Sequence, residues 1–491
     1  MKNLNNIEDM SRSASWREDL RKSMSAKTRS AISRVIMPQL SGEYRVTNNE
    51  EVNQGLSARQ AVVEASRCMD CPDPQCVTGC PVGIDIPGFI KNIQRGEFGK
   101  AAEVIRRTSA LPAVCGRVCP QEKQCESKCI YHKMKKEPVA IGYLERFAAD
   151  EELRSSERPQ PVTPDDSAIM VAVAGSGPAG LSFAGDMARK GYAVTVFEAL
   201  HEIGGVLKYG IPEFRLPNSI VEAEIDRLRG LGVKFVKDTI VGKTISYDDL
   251  KSMGFKGLFV ASGAGLPRFM SIPGENLIGV MSSNEYLTRI NLMGAGREGS
   301  DTPVTRGKTA IVVGGGNTAM DSVRTARRMG AERAIIVYRR SEAEMPARIE
   351  EVAHAREEGV EFMTLHNPIE YLGDEKGRVR AVRLQRMELG EPDESGRRSP
   401  VAVPGAVEEI ETDMVIVSVG VSPNPLIPQS IDGLEVSRRG TIVVDDATME
   451  SSVENLFAGG DIVRGGATVI LAMGDGRRAA AAMDAKFKQA D

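Results

Sequence analysis

The sequence predicts an α/β protein in which an α-helical domain precedes two domains built on parallel sheets. All eight cysteines fall in one window of the N-terminal third, from Cys68 to Cys129. A strand, a glycine-rich turn, a helix and a second strand follow from residue 168. The same βαβ plan recurs 139 positions later, counted from Gly175 to Gly314. Alternating strands and helices indicate a parallel sheet with helices on its faces.

Length and composition exclude several function classes. The 491 residues give room for about two to four domains. A net charge of −4 and 5% aromatic residues argue against a nucleic-acid partner. No apolar run is long enough to cross a membrane, and the polar N-terminus lacks the apolar centre of a secretory signal. We therefore expect a cytoplasmic protein that binds neither nucleic acid nor membrane.

Composition also predicts where the domains divide. Ser57 and Gln60 have the spacing of a helix capping box, and residues 86–107 have helical apolar periodicity. The run 154–168 is polar and proline-rich, which is typical of a linker. The expected units are a helical domain (1–165), the first part of one dinucleotide-binding domain (166–300), a second such domain (301–412) and the returning part of the first (413–491).

The first glycine turn carries a dinucleotide-binding pattern. Gly175, Gly177 and Gly180 match G-x-G-x-x-G directly after a strand and at the start of a helix, and Glu198 follows at the end of the next strand. The glycines permit the tight turn, the approach of a pyrophosphate and close helix–strand packing. The helix N-terminus then favours the phosphate charge, and Glu198 would accept hydrogen bonds from ribose hydroxyls.

The second turn has the same design with one difference. Its strand ends in Arg339 and Arg340 instead of an acid. Because arginine accommodates a 2′-phosphate, the pair predicts NADPH rather than NADH. The alternative is a solvated basic pair at a strand end. The turn residues expected to bind this cofactor are Gly314, Gly316, Asn317 and Ala319.

Two dinucleotide sites in one chain suggest FAD at one and a nicotinamide cofactor at the other. The C-terminal segment ENLFAGGDIVRGGATVILAMGDGRRAAAAM resembles a flavin motif. Asp461 would meet the ribityl–phosphate region, and a helix beginning near Ala467–Val469, with Thr468, would point its N-terminus at the isoalloxazine. Residues 260–265 and 417–425 should be crossovers between domains. No cysteine lies in these segments, which excludes a disulfide-reductase mechanism.

The cysteine window reads C-M-D-C-P-D-P-Q-C-V-T-G-C-P and then C-G-R-V-C-P-Q-E-K-Q-C-E-S-K-C. The first half is close to the bacterial ferredoxin pattern, in which the cysteine before proline binds the other cluster. Cys80 should therefore leave the first cluster and join the second. Zinc is the main alternative, since zinc ribbons also use C-x-x-C pairs.

From about residue 30, the chain resembles the small (β) subunit of NADPH-dependent glutamate synthase and its relatives. These relatives include the large subunit of the bifurcating NADH-dependent ferredoxin:NADP oxidoreductase and the N-terminal half of dihydropyrimidine dehydrogenase. LPAVCGRVCPQ and EPVAIGYLERF are more similar to the shorter, ferredoxin-linked type. The segments that carry the resemblance are RCMDC–CVTGCPVGIDIPGFI, LPAVCGRVCPQEKQC, EPVAIGYLERFAAD, AGSGPAGL, GGVLKYGIPEFRLP, GGGNTAMD, YRRSEAEMPA and FAGGD.

The resemblance implies two Rossmann-like domains, for FAD and NADPH, after a helical domain with two [4Fe–4S] clusters. It implies that Gly205 contacts the flavin nucleotide. The implied ligands of one cluster are Cys68, Cys71, Cys76 and Cys129, and those of the other are Cys80, Cys119, Cys125 and Glu145. Cys115 would then be a spare thiol. In the rival assignment Cys115 is the ligand and Glu145 an ordinary helix-surface residue.

The expected function is to pass electrons from NADPH through FAD and the clusters to a partner subunit, as the electron-transfer subunit of glutamate synthase. The alternative is the large subunit of a bifurcating NADH-dependent ferredoxin:NADP oxidoreductase. The partner would be a glutamate synthase large subunit or a smaller flavoprotein in a hetero-oligomer, with ferredoxin as a further candidate. No side chain is expected to act as an acid or base, and the four histidines are scattered.

Overall fold

The computed structural model describes residues 9–155, 162–165, 167–394 and 396–490. Residues 156–161 and 166 of the expected linker therefore lie outside the described part. The N-terminal domain is helical, with short 3-10 turns at Gln121–Lys123, Glu126–Lys128 and Ile130–Met134. Its helices are α1 (Ser15–Lys22), α2 (Ala26–Ala31), α3 (Gly42–Arg45), α4 (Ala58–Ser66), α5 (Gln75–Thr78), α6 (Ile86–Gln94), α7 (Phe98–Arg106), α8 (Pro112–Val118) and α9 (Ile141–Arg154).

Two helical expectations meet different outcomes. The capping box at the start of α4 is confirmed, because the Ser57 hydroxyl accepts from the Gln60 amide and the Gln60 side chain accepts in return. The periodic stretch 86–107 forms two helices, α6 and α7, rather than one. The break falls at residues 95–97, where Gly96 is in the left-handed region that favours glycine.

The first parallel-sheet unit follows directly. Its elements are β1 (Met170–Ala174), α10 (Pro178–Arg189), β2 (Ala193–Phe197), α11 (Val206–Tyr209), α12 (Asn218–Gly230), β3 (Lys234–Val236), α13 (Tyr247–Ser252) and β4 (Gly257–Val260). A short strand, β5 (Leu266–Pro267), then leads out of this unit.

The second unit contains a π-helical turn at Thr288–Leu292 and a 3-10 turn at Glu342–Glu344. Its elements are β6 (Val280–Ser282), α14 (Ser283–Leu287), β7 (Thr309–Val313), α15 (Asn317–Arg328), β8 (Arg333–Tyr338), α16 (Ile349–Glu357), β9 (Glu361–Thr364), β10 (His366–Gly373), β11 (Val379–Pro392), β12 (Arg398–Glu411) and β13 (Met414–Val417). The chain returns through β14 (Val421–Ser422), α17 (Leu426–Ser430), β15 (Leu456–Ala458), α18 (Asp461–Arg464) and α19 (Val469–Ala490).

Each unit is built on a five-stranded parallel sheet. The first has the order β15-β4-β1-β2-β3 and the second β6-β13-β7-β8-β9. The predicted crossovers are confirmed, because β5 and β14 pair as an antiparallel ribbon between the units. A three-stranded antiparallel sheet, β10-β11-β12, is attached to the second unit and was not predicted.

The sheets correct the expected boundaries of the second domain. Its sheet includes β6 at Val280–Ser282 and β13 at Met414–Val417, both outside the expected range 301–412. The physical reason is that the polar, glycine-rich run 293–308 forms a loop inside this unit rather than a linker in front of it. Strand pairing of this kind joins segments that are far apart in the chain.

The helical domain and the first sheet share one hydrophobic core. That core contains Cys119 and Leu144 from the helical domain and Phe183 and Met473 from the first unit. No described helix is both long and apolar enough to cross a membrane. The shared core fixes the cysteine region against the first dinucleotide turn.

Candidate active site

The first glycine turn is closed on one side and open on the other. Gly175 has a φ of +105°, and a Cβ there would lie 2.5 Å from the Ala261 carbonyl oxygen. A Cβ at Gly180 would overlap the Gly175 carbonyl oxygen, whereas one at Gly177 would meet nothing within 4 Å. The turn therefore leaves free space beside the N-terminus of α10, which fits a dinucleotide pyrophosphate.

Glu198 organises this turn from the end of β2. Its side chain is buried, and one carboxylate oxygen accepts from the Ser176 amide at 2.8 Å and from the Ser176 hydroxyl at 2.5 Å. The Ser176 hydroxyl in turn accepts from the Gly204 amide at 2.9 Å, next to Gly205. The acid lies where the pattern predicted it, and it connects the two glycine segments.

The second glycine turn repeats this geometry. Gly314 has a φ of +143°, and a Cβ there would overlap the Ser418 carbonyl oxygen, which excludes other residues. At Gly316 the nearest atom would be 3.9 Å away, in Pro346. The Asn317 side-chain oxygen accepts from the Arg348 amide at 2.9 Å. Space for a ligand is therefore present at this turn as well.

One cavity of about 1090 Å³ joins the two turns. Gly180, Gly314 and Ala319 do not line it, since they pack against the protein behind the turns. Val118 and Pro120 of the helical domain form part of its wall, on either side of Cys119. The predicted site residues that line the cavity are Gly175, Gly177, Glu198, Gly205, Gly316, Asn317, Asp461, Thr468 and Val469.

The C-terminal segment connects this cavity with the cysteine region. An Asp461 carboxylate oxygen accepts from the Ala467 amide at 2.9 Å, and burial raises the pKa of Asp461. Helix α19 begins at Val469 as predicted, and one turn later it contacts the helical domain. The Met473 sulfur lies 3.4 Å from Cys115 Sγ, and a Cβ at Gly474 would lie 3.2 Å from the Pro81 carbonyl oxygen.

The two arginines expected at a 2′-phosphate differ in environment. Arg340 is buried, and it donates to an Asp393 carboxylate oxygen at 2.5 Å and to the Arg398 carbonyl at 2.7 Å. Arg339 is exposed. Neither residue lines the cavity. Arg340 therefore holds the β11–β12 connection, and Arg339 is the one exposed to solvent at the strand end.

The cysteines separate into two groups according to which side chains affect their pKa values. Burial raises the pKa of Cys76, and the charges of Cys68, Cys129 and Cys71 add to this shift. Burial likewise raises the pKa values of Cys71 and Cys129, with Cys68 contributing to both. We call Cys68, Cys71, Cys76 and Cys129 the outer group, because three of the four are partly exposed.

The second set forms around Cys80. Burial raises the pKa of Cys80 to about 11, with Glu145 and Cys119 adding to the shift. Burial also raises the pKa of Cys125, with Glu126, Glu145, Cys119 and Cys80 contributing. We call Cys80, Cys119, Cys125 and Glu145 the inner group. Cys115 interacts with Cys119, Glu145 and Cys80 as well, so these interactions do not choose between the two ligand sets for this cluster.

Glu145 is an unusual carboxylate. Its side chain is buried, its Oε1 atom has no hydrogen-bond partner, and burial raises its pKa to about 8. It is held against the cysteines because α8 and α9 pack closely, with no room for a Cβ at Gly116 beside the Arg146 backbone. A buried acceptor without a partner is costly, which fits a carboxylate that binds an electron-deficient group.

Cys115 is completely buried between the inner group and α19. Its thiol contacts both Cys119 and Met473, so its position also suits the rival assignment, in which Cys115 is the ligand. Among the described residues, no three His, Cys, Asp or Glu side chains converge on a point suited to a single metal ion.

Sequence reasoning missed two features of the site. Asp321 on α15 accepts two hydrogen bonds from buried Arg215, both at 2.6 Å, and both side chains line the cavity between the units. Buried Lys91 donates to the Cys68 carbonyl at 2.6 Å. Asp321 and Arg215 both lie in quoted segments, GGGNTAMD and GIPEFRLP, but nothing in their spacing pairs them.

The parallel sheets, the two open turns and the joining cavity define an oxidoreductase of the pyridine nucleotide type. Residues 169–476 match the family described as pyridine nucleotide-disulphide oxidoreductase. Residues 45–157 match dihydropyrimidine dehydrogenase domain II, 4Fe-4S cluster. All eight cysteines lie within residues 45–157, the 4Fe-4S match, and none lies within residues 169–476.

The particular family follows from full-length relatives. The chain is 36% identical over 456 residues to the glutamate synthase [NADPH] small chain of Escherichia coli K12, covering 91% of this chain and 96% of that protein. It is 39% identical to the NADP(+)-dependent formate dehydrogenase subunit beta of Moorella thermoacetica, covering 84% of this chain but only 60% of that protein. The chain belongs to the family of glutamate synthase small subunits and related oxidoreductase subunits, which confirms the resemblance.

A solved structure supports the fold. The Mycobacterium tuberculosis FprA in complex with NADPH aligns with a TM-score of 0.55 at 21% identity, covering 66% of this chain and 85% of that one. The likeness confirms the α/β architecture of the two sheet units.

Proposed function

We propose that this chain is an NADPH-dependent oxidoreductase that holds FAD and two [4Fe–4S] clusters, and that it is the electron-transfer subunit of a glutamate synthase. One observation carries the proposal. A single cavity joins the two dinucleotide turns and reaches the residues on either side of Cys119. The binding sites for a hydride donor, a flavin and a cluster therefore adjoin one another.

The residues of the first unit suit FAD. Gly177 and the N-terminus of α10 would receive the pyrophosphate, and Glu198 a ribose. Asp461 and the N-terminus of α19, with Thr468 and Val469, would lie beside the ribityl chain and the flavin ring, where a helix N-terminus stabilises negative charge. When bound, a flavin exchanges a hydride for single electrons, which iron–sulfur clusters carry one at a time.

The two cysteine groups suit clusters at different depths. The inner group adjoins the cavity, and two residues beside it, Cys115 and Pro81, contact α19. The outer group lies nearer to solvent. We propose that electrons leave the cavity through the inner group and the molecule through the outer group, toward a glutamate synthase large subunit or another redox partner.

The central test measures the cofactor content of the protein and its ability to pass electrons from NADPH to a partner. Protein purified without oxygen should contain one FAD and about eight iron atoms per chain, and NADPH should bleach the flavin absorbance. Mixed with a glutamate synthase large subunit, it should support NADPH-dependent glutamate formation from glutamine. Zinc in place of iron, or material without flavin, would contradict the proposal. Intact cofactors without glutamate formation would redirect it to another partner.

The preference for NADPH can be tested at the strand end. We expect Arg339→Ala to raise the KM for NADPH at least tenfold and to leave that for NADH within twofold, because a charge-assisted contact to the 2′-phosphate is lost. Arg340→Ala should instead lower the melting temperature and affect NADPH and NADH alike, since buried Arg340 holds Asp393 and does not line the cavity. Steady-state kinetics with both cofactors and a thermal melt measure these effects. Equal losses for NADPH and NADH in Arg339→Ala would remove the argument for the phosphate.

A further inference from the structure

A lysine-rich surface lies beside the outer group. The segment from residue 128 to 137 contains four lysines and one glutamate, whereas the chain as a whole has a net charge of −4. All four lysines are exposed. Lys136 donates to the Ser30 carbonyl, but no carboxylate in the described part of the chain pairs with Lys128, Lys133 or Lys135. Three ammonium groups are therefore available to a partner.

This surface surrounds one of the outer cysteines. Lys128 and Ile130 flank Cys129 in the chain. The stem of Lys128 lies over the turn between Cys76 and Cys80, because a Cβ at Gly79 would be 3.0 Å from Lys128 Cγ. Ile130 and Met134 expose 37% and 38% of their surface between the lysines. The lysines thus frame a small apolar centre at the edge of the outer group.

The composition of the surface indicates what kind of protein it fits. Stable subunit interfaces are depleted in lysine, whereas encounters between electron-transfer proteins are small. Unpaired charges around a redox centre accelerate the encounter with a partner of opposite charge. Glu137 is the one acidic residue in the segment 128–137, against four lysines. An acidic partner that binds briefly matches this surface better than a permanently bound subunit.

We propose that the lysine surface, formed by Lys128, Lys133, Lys135 and Lys136 around Ile130 and Met134, docks a small acidic one-electron carrier protein for exchange with the outer group. The inference rests on the proposed function, because electrons must be able to reach the outer group from the nicotinamide site. In the direction convenient to measure, two one-electron carriers are oxidised while one NADP+ and one proton form NADPH.

The test uses the holoenzyme and an acidic [2Fe–2S] ferredoxin as the probe. Reduced ferredoxin serves as the donor, and NADPH formation is followed at low ionic strength. The variant K128E/K133E/K135E keeps Lys136, whose contact with Ser30 is structural. We expect its second-order rate to fall at least tenfold, and the rate of the unchanged enzyme to fall as salt is added. With NADPH as donor, the same variant should reduce cytochrome c faster than the unchanged enzyme does, because cytochrome c is basic and the new glutamates attract it.

The matched control is K234E/K256E/K376E, which makes the same charge change at three exposed lysines of the other domains. It should react with ferredoxin within twofold of the unchanged enzyme. Both variants should reduce menadione with NADPH normally, which reports intact folding and cofactors. Equal ferredoxin rates in the two variants, or a rate insensitive to salt, would contradict the docking proposal. The lysine surface would then be assigned to a stable subunit interface. An unchanged enzyme that cannot reduce menadione with NADPH would instead contradict the proposed function.

Discussion

The inner and outer groups contain the same kind of thiol, but they differ in the buried charges beside them. Each group also has a buried charge of the other kind nearby, Arg348 beside Cys119 and Glu126 beside Cys129. In the inner group Cys119 and Cys125 are buried beside Glu145, a carboxylate that has one oxygen atom without a partner. Three cysteines of the outer group are partly exposed. Buried cations lie close to the fourth, since Lys91 donates to the Cys68 carbonyl and Arg29 is near enough for their charges to interact.

For the two clusters that we propose, one in each group, this difference predicts a gradient of reduction potential. Adding an electron to a cluster makes it more negative, which a buried carboxylate opposes and a buried cation favours. The inner cluster should therefore have the lower potential and the outer cluster the higher one. Electrons that enter at the cavity would then move downhill toward the surface. The predicted gradient can be tested by removing either cluster, or by removing the charge of Glu145 or of Lys91.

The largest effect should come from deleting one cluster at a time. Cys119→Ser removes an inner ligand and should isolate the outer cluster from the cavity. Cys76→Ser removes an outer ligand and should leave the inner cluster intact beside the cavity. Each variant should retain about four of eight iron atoms. After limited reduction with dithionite and mixing with NADP+, the remaining cluster should reoxidise at least 100-fold more slowly in Cys119→Ser. Freeze-quench EPR measures the two rates, and similar rates would refute the order of the groups.

The next effect concerns Glu145. Burial alone raises the pKa of Glu145 to about 8, but as a ligand of a cluster iron the carboxylate would be ionised. Glu145→Gln removes that charge, so we expect the midpoint potential of the inner cluster to rise by about 60 mV or more, a tenfold change for one electron. The outer cluster should not shift. Redox titration with EPR detection measures both potentials. Cys115→Ala is the control and should retain both clusters. If Glu145→Gln changes neither cluster and Cys115→Ala loses one, Cys115 is the ligand.

The sequence was most informative where a short pattern is local to one strand, one turn and one helix. The glycines at 175 and 314 could be predicted from that pattern, although the carbonyl groups that leave no room for a side chain belong to the distant residues Ala261 and Ser418. Glu198 was predictable for a similar reason, since its distance from the turn is set by one helix and one strand. The α/β architecture followed from the same repeated pattern.

Contacts between distant segments were not predictable. Arg340 bonds Asp393 and Arg398 because the β10–β12 sheet folds against the end of β8, and no local pattern signals that sheet. The contact of Cys115 with Met473 joins residues 358 positions apart. The expected boundary near residue 301 failed for the same reason, since β6 belongs to its sheet only through pairing with β13.

The smallest effect should come from Lys91, and it tests the outer half of the gradient. Burial lowers the pKa of Lys91 to about 8, so the ammonium form predominates at pH 7. Lys91→Gln keeps a donor for the Cys68 carbonyl and the Gln94 side chain but removes the charge. We expect the outer cluster's potential to fall by roughly 30 to 60 mV, on the scale of about 59 mV per tenfold change for one electron.

Lys91→Arg is the matched control, because it retains a positive charge at the same position and should leave the potential within about half of that shift. The inner cluster serves as an internal reference in both variants, since it lies on the other side of the cysteine region. A shift of equal size in the two clusters would mean that the substitution disturbs the whole domain rather than the local field. An unchanged outer potential would show that exposure to solvent, and not the buried cations, sets the difference between the groups.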